Sequence, residues 1–243
     1  MAETIIGRNA VLEALKGNRE IEKITLAKGA EGSVKQIAAK ARDKHIPIYY
    51  SDKARMDKAA SGGAHQGVIA VVSDYKYCTV DDILARAAQR GEDPLIIILD
   101  GLEDPHNLGA IMRTAECAGV HGIVIPKRRS VSVTETVAKT SAGAVEYMLC
   151  AKVTNIANEI EKLKEKGVWI GACDMGPDLY YRQDLKGPIA IVIGAEGAGI
   201  SRLVKEKCDF VVSIPMKGSI TSLNASNAAS ILMYEVVRQR MDI

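Results

Sequence analysis

Ile189-Ala190-Ile191-Val192-Ile193-Gly194-Ala195-Glu196-Gly197-Ala198-Gly199 is the stretch whose reading decides the fold. Its first five residues are apolar without alternation, and four of them are β-branched. A strand apolar on both sides is buried on both sides, which is the habit of parallel sheets covered by helices. Similar runs stand at 95–99, 123–125, 168–172 and 210–214. Helical patterns lie between them. Residues 107–118 stop at Gly119 and residues 155–166 at Gly167, and a long helix over about 222–240 closes the chain. Alternating strands and helices define an α/β fold with a parallel sheet. Such sheets bind ligands beyond the carboxyl ends of their strands. The chemistry is therefore expected in the loops after Leu99, Ile193 and Ile214.

The front of the chain has its own pattern. Residues 9–15 and 33–45 read as helices, and 21–27, 48–50 and 66–72 as strands. Val34, Ile37, Ala38 and Ala41 make one apolar helix face. This predicts a small α/β domain over 1–74. A linker and a helix at 80–90 fill 75–93, and the larger domain occupies 94–243.

Bulk properties bound the function. The 243 residues are 47% hydrophobic and carry a net charge of +2. Residues 1–75 hold 12 Lys and Arg against 9 Asp and Glu, a mild basic bias, and charge alone does not announce a nucleic acid. The five cysteines (Cys78, Cys117, Cys150, Cys173 and Cys208) have no metal-ligand spacing and read as small buried thiols of a reducing compartment. No apolar run approaches the ~20 residues that span a bilayer. The expectation is a cytoplasmic protein with no membrane segment and no metal.

Three loops carry the candidate chemistry. The first contains Asn107-Leu108-Gly109 and Arg113, with Asn107 placed to cap the helix that follows. The second, Gly194 to Gly199, offers exposed backbone around Glu196. It lacks the Gly-Lys-Ser/Thr of a phosphate-binding loop. The third runs Ile214-Pro215-Met216-Lys217-Gly218 to Ser222-Leu223-Asn224-Ala225-Ser226. Ser222 alone would serve as a cap, so Asn224 and Ser226 exceed what a helix start needs. Taken singly, each loop is also explained as a plain turn, a glycine-rich connection or a small-residue packing face.

Taken together and in order, the three segments resemble the SpoU/TrmH family of the SPOUT superfamily of RNA methyltransferases. Ile6-Gly7-Arg8-Asn9-Ala10-Val11-Leu12-Glu13-Ala14-Leu15 and His65-Gln66-Gly67-Val68 are similar to its substrate-binding domain. The resemblance covers nearly the whole chain and comes nearest to the RlmB-type branch, which methylates a guanosine ribose of 23S ribosomal RNA. It implies a catalytic α/β domain with a deep trefoil knot, a homodimer, and S-adenosylmethionine as cofactor. It also implies transfer of the methyl to a ribose 2′-hydroxyl of RNA.

By that resemblance Gly194, Ile214 and Leu223 contact the cofactor, and Asn107, Arg113, Glu196, Ser222 and Asn224 form the catalytic set. Asn107 and Asn224 would orient substrate, and Glu196 would position Arg113 or the substrate. Arginine stays protonated at ordinary pH, so Arg113 suits a substrate phosphate or a developing alkoxide better than a proton. Arg8, Lys127, Arg128 and Arg129 are the expected RNA contacts. Aromatic residues are only 4%, which argues against an extended base-stacking surface. A transfer-RNA methyltransferase and a non-catalytic RNA-binding assembly factor remain as alternatives. A dinucleotide oxidoreductase is disfavoured, because no GxGxxG follows a first strand.

Overall fold

In the computed structural model, residues 2–17 and 19–241 are described. They form two compact units. The first comprises the described residues up to Lys76 together with Val133–Tyr147, and the second Tyr77–Ser132 with Met148 onward.

The first unit is built on a sheet of β1 (Ala2–Ile6), β2 (Ile21–Ala27), β3 (Ile48–Ser51) and β4 (Val68–Ser73), in the order β1-β4-β2-β3. β4 is antiparallel to both its neighbours, and β3 is parallel to β2. One face carries Ile5, Ile24, Leu26, Val68, Ala70 and Val72, all buried. The helices α1 (Arg8–Lys16) and α2 (Ser33–Asp43) supply Val11, Leu15, Val34 and Ile37 as buried apolar partners. The other face is smaller. Ile6 and Ile69 pack there with Met56 and Ala60 of the α3 region (Lys53–Ala59).

The motif around His65 works as a turn. Gln66 and Gly67 have φ of 53° and 82°, in the left-handed region. His65 Nδ1 accepts the Gly67 N–H at 2.9 Å, and the Arg8 guanidinium donates from Nε to the Gln66 carbonyl at 2.9 Å.

Val133–Tyr147 clusters with this first unit. It includes α6 (Glu135–Thr140) and a 3-10 turn, Ala144–Glu146. Tyr147 Oη donates to Glu13 at 2.6 Å. Glu146 pairs with the buried Arg19, which also holds Glu3 and the Ser73 carbonyl. Short apolar pieces among small polar residues give such a segment no periodicity to read.

The second unit has six parallel strands in the order β10-β8-β9-β5-β6-β7. They are β5 (Leu95–Asp100), β6 (Gly122–Pro126), β7 (Cys150–Val153), β8 (Trp169–Cys173), β9 (Ile189–Gly194) and β10 (Phe210–Val212). The central strands are buried along their whole apolar lengths, as their sequences require. The helix α4 (Val80–Arg90) starts with a reciprocal Thr79–Asp82 cap and packs Val80 and Ile83 into this core. The remaining helices are α5 (Pro105–Cys117), α7 (Ile156–Glu165), α8 (Arg202–Lys207) and α9 (Ala225–Arg240). Arg240, near the end of α9, donates to the carbonyls of Asp93, Pro94, Lys186 and Gly187, at the amino ends of β5 and β9.

His121 lies below β5 and is 1% exposed. Its Nδ1 accepts the Leu95 N–H at 3.0 Å and its Nε2 faces Glu92 at 3.0 Å. Burial lowers its pKa below the ordinary value near 6.5, although Glu92 pulls the other way. The unfolded chain therefore binds the proton more readily than the fold does. The stability this histidine contributes is complete above about pH 6.5 and is lost as pH falls below that value. The melting temperature is expected to fall with pH in this window, and less steeply in His121→Asn. Parallel slopes in the two proteins would place the loss in another group.

Candidate active site

The site lies at the carboxyl ends of β5, β9 and β10. Two corrections to the helix starts shape it. Asp104, not Asn107, caps α5: its Oδ1 accepts the His106 N–H at 2.9 Å, and Pro105 fills the first helical position. Asn107 is thereby freed of capping and sits one turn in, 4% exposed. Asn224, not Ser222, caps α9. Its Oδ1 accepts the Ser226 N–H at 2.9 Å, the Ser226 hydroxyl at 2.6 Å and the Asn227 N–H at 3.4 Å. The helix begins at Ala225, three residues later than expected.

Glu196 joins these two helix starts. Its Oε1 accepts Asn107 Nδ2 at 2.9 Å and Asn224 Nδ2 at 2.7 Å. Asn224 Nδ2 also donates to Asn107 Oδ1 at 2.9 Å. The triangle spans 117 residues of sequence. In it Glu196 holds both asparagines, and each asparagine donates its amide within the triangle.

Beside the triangle is a cavity of about 570 Å³. Gly194, Ile214 and Leu223, the expected cofactor contacts, line it, together with Ser222, Met216 and Cys173. Burial pushes the Cys173 thiol up to about 11, so it stays protonated and takes no nucleophilic part. Gly194 is required by its neighbours. A Cβ there would lie 2.2 Å from the Gly199 carbonyl carbon and 2.4 Å from the Ile200 nitrogen. That close approach is set by the turn in which Ala195 and Gly199 exchange two backbone hydrogen bonds, of 3.1 and 2.9 Å. Between Ile214 and Leu223 no backbone group pairs with other backbone among the described residues. Free main-chain donors and acceptors beside apolar side chains suit an adenosine-bearing ligand, whose flat base and hydroxyls need both.

A second cavity, of about 530 Å³, shares Ala195, Glu196, Ala198 and Gly199 with the first. Asn107, Asp100, Asp104 and Arg129 also line it. Arg129 has a φ of 55°, uncommon for a non-glycine residue. All three residues Lys127, Arg128 and Arg129 are exposed, and of them Arg129 lines a cavity whereas Lys127 and Arg128 line neither. Arg113 lies on the exposed side of α5, lines neither cavity and has no partner among the described residues. Arg8 is in the first unit and is engaged in holding Gln66 and Ser33. Of the five cysteines expected to be buried, Cys150 is buried, Cys78, Cys173 and Cys208 are half-buried, and Cys117 is exposed.

A six-stranded parallel sheet with a glycine turn, a carboxylate clamp and an unpaired backbone segment at its carboxyl edge defines a nucleoside-binding α/β domain. Comparison with known proteins gives the family. Residues 94–234 match the SpoU rRNA methylase family, and residues 4–78 match the RNA 2′-O ribose methyltransferase substrate-binding domain. The chain is 48% identical over 242 residues to YacO of Bacillus subtilis, a protein named for the TrmH family of tRNA/rRNA methyltransferases. That match covers 97% of this chain and 95% of YacO. The SpoU methyltransferase AviRb of Streptomyces viridochromogenes, solved in complex with the cofactor AdoMet, superposes with a TM-score of 0.84 at 24% identity. It covers 100% of this chain and 92% of AviRb. The TrmH/SpoU tRNA-modifying enzyme of A. aeolicus superposes with a TM-score of 0.57 at 28% identity, over 62% of this chain and 77% of that one. The chain belongs to the SpoU/TrmH family of RNA methyltransferases.

Proposed function

We propose that this protein moves a methyl group from S-adenosylmethionine to a ribose 2′-hydroxyl of RNA, most specifically a guanosine of 23S ribosomal RNA. The observation that carries the reading is the pair of cavities meeting at Ala195, Glu196, Ala198 and Gly199. A methyl transfer needs two adjoining ligands, with the attacking oxygen in line with the methyl and about 3–3.5 Å from it. The cavity with the unpaired 214–223 backbone suits the cofactor, and the one with Arg129 suits the nucleotide. When bound, the cofactor supplies a methyl already activated by a positive sulfur. The chain's residues hold and orient: Ser222 and Leu223 at the cofactor, Arg129 at a substrate phosphate, with Arg128 and Lys127 beside it. The ribosomal reading is favoured over transfer RNA because the chain carries the substrate-binding domain, whereas the tRNA-modifying structure matches only 62% of it. Tritiated methyl transfer to purified 23S, 16S and transfer RNA tests this. Label in 23S RNA, mapped to a ribose, is expected, and label confined to transfer RNA would overturn the substrate.

Arg113 lies outside both cavities of its own chain, so the homodimer acquires a purpose: Arg113 of one copy serves the nucleotide cavity of the other. The Arg113 guanidinium then faces the developing alkoxide or the adjacent phosphate. Arg113→Ala and Asn224→Ala are each expected to be nearly inactive. Mixed after co-refolding, they should recover about a quarter of wild-type activity, since half the dimers are mixed and each has one intact site. No recovery would place Arg113 in its own chain's site. The trefoil knot belongs to the same reading, with 214–224 passing through the preceding loop.

A further inference from the structure

We infer that the free edge of the four-stranded sheet is a stacking platform for a single-stranded segment of the RNA substrate, with Tyr49 and Tyr50 each taking one base. This rests on the RNA reading above and adds a second contact region, on the first unit. β3 is an edge strand, bonded to β2 on one side only. Successive residues point to opposite faces, so Tyr49 and Tyr50 flank the edge on both sides. They are 57% and 53% exposed, whereas Leu26, the β2 partner of Tyr50, is 1% exposed.

The charges around the edge fit RNA. Residues 40–58 contain six cations (Lys40, Arg42, Lys44, Lys53, Arg55 and Lys58) and three carboxylates (Asp43, Asp52 and Asp57). Two of the carboxylates are already engaged. Asp52 caps α3 and pairs with Arg55 at 3.5 Å, and Asp57 faces His65 at 3.0 Å. Lys44, Lys53 and Lys58 are exposed and have no side-chain partner among the described residues. Arg42 Nη2 donates to the Tyr50 hydroxyl at 3.3 Å, bringing a cation to the hydroxyl end of that side chain.

An aromatic ring with cations beside it takes any unpaired base, because every base has a π face. A second protein strand fits the edge less well. It is four residues long, follows Pro47, and is flanked by Lys44 and Lys53, features that disfavour strand addition. The low aromatic content, read from sequence as evidence against base stacking, thus says nothing about where the few tyrosines gather.

The test is fluorescence anisotropy with labelled oligouridylate and with an RNA hairpin of equal length. The proteins are wild type, Tyr49→Ala/Tyr50→Ala and Tyr49→Phe/Tyr50→Phe. The alanine pair should raise the oligouridylate Kd by at least about tenfold, since two stacked bases are lost. The phenylalanine pair should stay within about threefold, because the rings remain. Hairpin affinity should change little in either. Unchanged oligouridylate affinity in the alanine pair, no oligouridylate binding by wild type, or an altered sedimentation coefficient with RNA affinity intact would each overturn the platform. Methyl transfer by wild type is scored separately. Transfer with a silent tyrosine pair sinks the platform alone, and tyrosine-dependent binding without transfer sinks the enzymatic reading alone.

Discussion

Replacement of Glu196 by alanine should lower kcat/KM by about a hundredfold while the protein stays folded. Glu196 is on the surface and its side chain contributes little burial. What it does is hold two helix starts, through Asn107 at 2.9 Å and Asn224 at 2.7 Å. Without it Asn224 keeps its capping bonds to Ser226 and Asn227, so α9 still begins at Ala225. The 222–224 backbone then loses its tie to the Glu196 turn. That turn is the wall the two cavities share, and a displacement of about 1 Å there is enough to cost on the order of a hundredfold in rate.

Glu196→Gln separates geometry from charge. A glutamine oxygen can accept from both asparagines as the carboxylate does, so a geometric role predicts activity within about tenfold of wild type. Activity as low as that of the alanine variant would show that the negative charge itself takes part. Asn224→Asp offers an independent check. The aspartate keeps the cap and suits a helix start, but turns a donor into a second carboxylate facing Glu196. Thermal stability should hold while S-adenosylmethionine affinity and turnover both drop. Affinity and turnover unchanged in that variant would remove the clamp from the mechanism.

The elements legible in the sequence were those whose physics is local. β5 and β9 are read correctly because burial on both faces forces continuous apolar runs. The bounds of α4 follow from Thr79 before it and Gly91, with a φ of 67°, after it. β7 is not legible, because Cys150–Val153 is four residues with a lysine among them. β1 is not legible either, because two polar residues, Glu3 and Thr4, followed by two apolar ones, Ile5 and Ile6, match neither period. The identities of Asn107, Glu196 and Asn224 were legible as motif residues, but their mutual bonds were not. Partners 28, 89 and 117 positions apart are brought together only by the sheet order β9-β5 and by the packing of α9 near α5. Propensity likewise favoured Ser222 and Asn107 as caps, and the structure spends Asp104 and Asn224 there instead.

Gly194→Ala should be the most damaging methyl group that can be added at this site. The new Cβ would meet the Gly199 carbonyl carbon at 2.2 Å, the Ile200 nitrogen at 2.4 Å and the Gly199 oxygen at 2.6 Å. All three are backbone atoms, so no side chain can swing away. Relief requires moving the 195–199 turn, whose two mutual hydrogen bonds and link from Glu196 to Asn224 resist it. Overpacking of this kind costs about 1–3 kcal/mol of stability. The strain falls on the wall of the cofactor cavity, so S-adenosylmethionine affinity should fall by at least about a hundredfold, because preorganised contacts are lost together.

Gly218→Ala is the matching control. Gly218 lies in the motif segment after Ile214, yet a Cβ there meets nothing within 4 Å and its φ is not in the left-handed region. If the motif glycines matter for the space they leave, Gly218→Ala binds cofactor nearly as wild type does, as read by calorimetry, and Gly194→Ala does not. Equal losses in the two would mean that Gly218 is needed for a backbone movement on binding, and that the 214–223 segment closes over the ligand.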